Sequence, residues 1–270
     1  MLLSSSQPIG IFDSGAGGLT VASAVKKILP NEKIIYFGDT AHLPYGDKSS
    51  ETVKKYALRI TDLLLEKKCK LILIACNTAS AAAYEAVKER TKDKALVLNV
   101  IDPAVEFIAQ HDNLKKIGVI GTKGTVSAGI YTKKINLLSE EKDVVSLATP
   151  LLVPLIEEGF IYDNISNAVI KQYLSDDKLK NIDALILGCT HYPIIKNQIR
   201  KFYNFKTSVI DSSEIVARNL KDVLTKNKLL NTEHTLPKHE FYVSDYTDFF
   251  ETLAEMFFDE KIKLQKKELS

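Results

Sequence analysis

Cysteine is scarce in this 270-residue chain, with three residues, Cys69, Cys76 and Cys189. So small and odd a set excludes a disulfide framework and points to a reducing compartment, so a cytoplasmic protein is expected. Long apolar runs are also missing. None approaches the ~18 residues that a bilayer span requires. The N-terminus, MLLSSSQPIGIFD, has no cationic n-region and no long apolar segment, so no signal peptide is expected. Charge of one sign is not in excess, since 36 basic side chains face 34 acidic ones for a formal net charge of +2. That balance advertises neither nucleic acid nor a membrane surface as a partner. Arginine is confined to Arg59, Arg90, Arg200 and Arg218, all within helical patterns. A ligand bound elsewhere is therefore expected to be held by N–H groups, hydroxyls and amides rather than by a guanidinium fork.

What is present is an α/β pattern. Hydrophobic residues make up 45% and charged residues 26% of the chain. That composition and length suit one or two domains of roughly 150 residues each, with ample core. Short aliphatic runs at 8–13, 33–39, 70–76, 95–100, 116–122, 184–189, 207–211 and 240–244 read as strands. Between the second and third, Val53, Tyr56, Ala57, Ile60, Leu63 and Leu64 recur at helical spacing, with Ser50 as the expected N-cap. Strands apolar on both faces and separated by helices predict mostly parallel sheets covered on both sides. Ligands of such sheets sit beyond the carboxyl ends of the strands. The stretch VSDYTDFFETLAEMFF reads as a loop leading into an amphipathic helix, and the Lys-rich tail after it as a solvated helix end.

The chain also repeats itself. IGIFDSGAGGLTV from Ile9 is echoed by IGVIGTKGTV from Ile117, and LILIACNTAS around Cys76 by ALILGCTHYP around Cys189, at nearly the same offset. Two copies of one α/β unit, facing each other, would bring strand-end groups from both into one cleft.

Within that frame the cysteines differ. Cys69 lies inside an aliphatic context and reads as a small core residue. Cys76 and Cys189 each end an aliphatic run just before polar residues and a helix, where backbone N–H groups and the helix dipole favour a thiolate. Their matching contexts select them as a functional pair. No C-x-x-C accompanies them, and their spacing with His191 fits no zinc pattern, so no metal is expected. DSGAGG at 13–18 matches neither a P-loop nor a dinucleotide fingerprint. It does offer N–H groups at a helix N-terminus that suit a carboxylate as well as a phosphate. Asp13 as a turn-former or a functional carboxylate, LPYG (43–46) as a structural turn or part of a site, and His191 as a capping or catalytic group all remain open from the residues alone.

Together IGIFDSGAGGLTV, GDTAHLPYG, IACNTAS, VIGTKGTV, VPLIEEG and LILGCTHYP, in this order from Ile9 to Pro193, resemble the glutamate racemases of the aspartate/glutamate racemase superfamily. The resemblance implies cofactor-independent interconversion of L- and D-glutamate, which supplies D-glutamate for peptidoglycan. It implies two pseudo-twofold-related α/β domains, 1–97 with 212–270 and 98–211, with the active site between them. By motif match Cys76 would deprotonate the D enantiomer and Cys189 the L enantiomer. Asp13, His191 and Glu157 would assist, with Glu158 as an alternative to Glu157. Ser14, Tyr45, Gly46, Asn77, Thr78, Thr190 and His191, with Asp13, would hold the substrate, and Thr122 and Thr125 are further carry-overs. No cofactor is implied, and a homodimer is. A racemase of another amino acid, or a binder that kept the cleft, would share much of this pattern, although a binder needs neither thiol.

Overall fold

The structure, a computed structural model, describes residues 3–233, 236–258 and 261–269. Among them ten strands form two sheets. In chain order these are β1 (Ile9–Asp13), β2 (Ile34–Gly38), β3 (Leu71–Ile74), β4 (Leu96–Asn99) and β5 (Lys116–Gly121). They continue with β6 (Asp143–Ala148), β7 (Ala184–Gly188), β8 (Ser208–Ile210), β9 (Glu240–Val243) and β10 (Leu264–Lys266). The first sheet has the order β10-β9-β2-β1-β3-β4 and the second β6-β5-β7-β8. Every pairing is parallel. Strands β1, β2, β3 and β7 are buried at every position because helices cover both faces of each sheet.

The duplication read from the sequence is present in the topology. The order β2-β1-β3-β4 in the first sheet recurs as β6-β5-β7-β8, so β1 corresponds to β5 and β3 to β7. Cys76 lies just beyond the carboxyl end of β3, and Cys189 directly follows β7. The two thiols therefore occupy equivalent places in the two halves. Strands β9 and β10 add to the first sheet beside β2, so the last part of the chain returns to it. The helix Ser212–Lys226 packs on the helices Leu19–Ile28 and Ile101–Ala109, and the helix Asp248–Phe258 also rests on Leu19–Ile28.

Three expectations are corrected. The eight aliphatic runs all form strands, but β6 and β10 were not among them. Each is an edge strand with little buried surface, so neither carries a continuous apolar run. The Lys-rich tail is thus partly a strand paired with β9 through Leu264 and Phe241, not a helix end. The helix Ser50–Glu66 is capped one residue earlier than expected, by Ser49, whose Oγ accepts from the Thr52 N–H. Among the described residues no helix is long and apolar enough to cross a membrane.

Candidate active site

Cys76 caps the helix Asn77–Thr91. Its Sγ accepts from the Ala79 N–H at 3.4 Å and lies 3.8 Å from Ser14 Oγ. The helix start was expected to favour a thiolate here, and the surroundings reverse that. Burial pushes the Cys76 thiol up to about 12, the charge of Asp13 adds to the rise, and the Ala79 and Ser14 hydrogen bonds oppose it only in part. Cys76 is held as a protonated thiol.

Cys189 has different company. Its Sγ lies 3.7 Å from His191 Nδ1, and His191 Nε2 lies 3.0 Å from Glu157 Oε1. Burial alone would lower the imidazole, but hydrogen bonds and charge from Cys189 and Glu157 win and hold it up at about 10. A protonated imidazole beside a sulfur stabilises negative charge on that sulfur. The Phe257 ring packs against His191 in a T-shaped arrangement, with ring centroids 5.5 Å apart. Of the two glutamates, Glu157 makes this contact, whereas Glu158 lies exposed past the end of the helix Leu152–Glu157.

Asp13 ends β1 and is fully buried. Its Oδ2 accepts from the N–H groups of Gly15 (3.2 Å) and Gly18 (2.9 Å), and its Oδ1 from the Thr190 hydroxyl (3.4 Å). The glycine loop was expected to offer these N–H groups to a ligand anion, yet the anion they hold is the chain's own Asp13. Burial raises the Asp13 carboxyl, with the nearby His191 and the loop N–H groups pulling the other way. Glycine is required at position 17 by close approach, since a Cβ there would stand 2.5 Å from His191 Nδ1 and 2.6 Å from Thr190 Oγ1. Gly17 is where the loop after β1 meets the loop after β7.

Both thiols line one cavity, a cleft between the loops of the two halves. Of the residues expected from sequence, Ser14, Tyr45, Gly46, Cys76, Asn77, Thr78, Thr122, Cys189, Thr190 and His191 are on its wall. Asp13, Glu157 and Thr125 stand behind it. Among the described residues no arginine lines the wall. Thr149 and Pro150, which follow the edge strand β6, lay outside every motif read from the sequence. Val153 and Pro154 stood inside VPLIEEG and Lys123 inside VIGTKGTV, without being assigned to the wall. The exposed Lys123 ammonium lies 3.3 Å from Asp47.

Sequence reasoning also missed the groups that hold the wall in place. The Tyr45 hydroxyl donates to Asp39 Oδ2 at 2.6 Å, while Asp39 Oδ1 lies 2.8 Å from His42 Nδ1. The Thr78 hydroxyl meets those of Thr122 (2.8 Å) and Thr125 (3.1 Å), and the Tyr131 hydroxyl donates to Asn77 Oδ1 at 2.6 Å. Asp39 and His42 stood inside the motif GDTAHLPYG and could have been singled out. Tyr131 carried no local signal. All three cysteines are free, and among the described residues no three His, Cys, Asp or Glu gather as a metal site would require.

Known proteins of similar sequence share this fold. The model of the Asp/Glu/Hydantoin racemase family matches residues 19–220. A glutamate racemase of Chlorobaculum parvum is 44% identical over 255 residues, covering 94% of this chain and 93% of its own. One of Geobacter metallireducens is 41% identical over 254 residues, with coverage of 94% and 93%. Among solved structures, glutamate racemase from Francisella tularensis in complex with D-glutamate superposes with a TM-score of 0.91 at 43% identity, covering 98% of each chain. The isoform RacE1 of Bacillus anthracis superposes with a TM-score of 0.93 at 34% identity, again over 98% of each.

Proposed function

The chain belongs to the Asp/Glu/Hydantoin racemase family, among the glutamate racemases, and is an isomerase; on that premise we propose that Cys76 and Cys189 interconvert L- and D-glutamate by passing a proton through Cα. The observation that carries this reading is one cavity lined by two thiols from equivalent strand ends of twin sheets.

In the L-to-D direction, Cys189 Sγ takes the Cα proton. The electron pair left on carbon delocalises into the α-carboxylate and then accepts a proton from Cys76 Sγ on the opposite face. Both thiols return to their starting states by exchange with solvent. His191, braced by Glu157, supports negative charge on Cys189 before the transfer, and a buried Cys76 keeps its proton until carbon takes it. In the reverse direction Cys76 is the base, and Asp13, buried close behind it, is the group placed to assist. Donors from Asn77, Thr78, Thr190 and Ser14 oppose the charge that builds on the substrate, a task worth several kcal/mol in such sites, on the order of 3 per donor. Tyr45 and Gly46 hold the substrate from the loop after β2.

The same reading assigns residues 1–97 with 212–270 to one domain and 98–211 to the other, supported by the return of β9 and β10 to the first sheet. It places the protein in the cytoplasm, where free thiols persist, as a supplier of D-glutamate for peptidoglycan. A homodimer completes it, with exposed Leu151, Phe160, Tyr162 and Ile165 as apolar surface for a second copy to cover. Sedimentation of the pure protein is expected at twice the monomer mass of 30.1 kDa, and a single 30.1 kDa species would contradict the dimer. Circular dichroism of L-glutamate and of L-aspartate, each incubated with the protein, tests the activity. The signal of glutamate alone is expected to decay. Decay with aspartate alone, or with neither, would overturn the reading.

A further inference from the structure

Asn77 directly follows Cys76, is 4% exposed and lies on the cavity wall. Its side-chain amide has one accepting end and one donating end. Which end meets a ligand decides whether a carboxylate there is attracted or repelled. Among the described residues one hydrogen bond reaches that amide. The fixing contact comes from the other half. Tyr131, 2% exposed on the helix Ile130–Leu138, reaches across with its hydroxyl 2.6 Å from Asn77 Oδ1. Burial, helped by the charges of Cys189 and Asp102, raises the phenol well above its ordinary value, so Tyr131 stays protonated and donates. With Oδ1 taken, the Nδ2 donors are the free end. The same ring backs the other thiol, because a Cβ built at Gly188, the residue before Cys189, would lie 3.5 Å from Tyr131 Cε2.

We infer that Tyr131 is a positioning residue of this site: its hydroxyl locks the Asn77 amide with the NH₂ donors toward the cavity, where they take the substrate carboxylate, while its ring braces the Cys189 loop against the Cys76 loop. The inference rests on the glutamate racemase reading and adds a residue to it. It matters because among the described residues no arginine lines the wall, and a neutral amide there must be held in the right orientation to bind an anion.

The test is calorimetric binding of D-glutamate together with KM and kcat, for wild type, Tyr131→Phe, Asn77→Ala and the double variant. Tyr131→Phe removes one oxygen and keeps the ring. Kd and KM are expected to rise about tenfold, with kcat changing less, and the effect is expected to vanish in the Asn77→Ala background because the hydroxyl acts through that amide. Asn77→Asp supplies a second measure that does not depend on the folding of the tyrosine variant. Tyr131 would still occupy one oxygen, the other would face the ligand carboxylate, and binding is expected to be weaker than in Asn77→Ala. Kd and KM of Tyr131→Phe within twofold of wild type, an equal loss in both backgrounds, or Asn77→Asp binding as well as Asn77→Ala would each overturn the inference. Wild-type protein that neither binds nor racemises glutamate would defeat the underlying reading, and the inference with it. Normal wild-type turnover with unaffected variants would defeat only the role of Tyr131.

Discussion

A cysteine is a ready base when something nearby favours the thiolate, and it holds its proton more firmly when burial is opposed only in part. Both conditions occur on this one cavity. Cys76 meets Asp13, whose charge works against its thiolate, whereas Cys189 meets an imidazole held up at about 10 by Cys189 itself together with Glu157. Cys69, by contrast, is packed under Leu64 and Gly10, and burial pushes its thiol up to about 12. Replacing Cys76 or Cys189 with alanine is expected to cut racemisation by about a thousandfold or more, the scale of losing an acid or base. Cys69→Ala should keep turnover within about twofold of wild type and cost roughly 1 kcal/mol of stability, the effect of a small cavity. Steady-state rates and denaturant melts of the three variants check this, and substantial turnover by Cys76→Ala or Cys189→Ala would contradict it. The two reactive cysteines were legible because each ends an aliphatic run. The motif match named Asp13 and His191 as their assistants. The opposite pulls of the two on the sulfurs were not legible, since they depend on burial and contacts made only on folding.

Strand ends and their loops do the positioning. The loops after β1, β3 and β7 converge, and glycine at position 17 lets the first pass the third at contact distance. Gly17→Ala is expected to displace His191 and lower kcat/KM by about tenfold or more, as misplacement of catalytic groups does. Near-wild-type kcat/KM would show that the approach of the two loops is not needed. Removing the Ser49 hydroxyl tests a different kind of element. Ser49→Ala deletes the cap of the helix Ser50–Glu66, far from the thiols in role, and should cost about 1 kcal/mol with turnover intact. Eight strands could be read because covered parallel strands are continuously apolar. Strands β6 and β10 could not: β6 has polar Asp143 and Ser146 within it and no buried position, and β10 is three residues long with one buried. Thr149 and Pro150, which follow β6, were lost with it, although they line the cavity.

At the scale of the molecule, two sheets of the same strand order meet, and the cavity lies where their loops face each other. A duplicated fold suits a reaction that must reach one carbon from two sides, since each half supplies one sulfur from the same structural position. The repeat was visible in sequence as two echoed motifs. The contacts that join the halves, Tyr131 to Asn77 and Thr78 to Thr122, were not, because each links residues far apart in the chain whose partners no local pattern reveals. The two-sided transfer is tested most directly by racemising L-glutamate in heavy water and measuring Cα deuterium in chirally separated glutamate at low conversion. If separate thiols serve the two faces, the donor exchanges with solvent before it acts. D-glutamate should then carry deuterium while the remaining L-glutamate stays largely protiated. D-glutamate that retained much of its original protium would mean a single base serving both faces, and would contradict the roles given to Cys76 and Cys189.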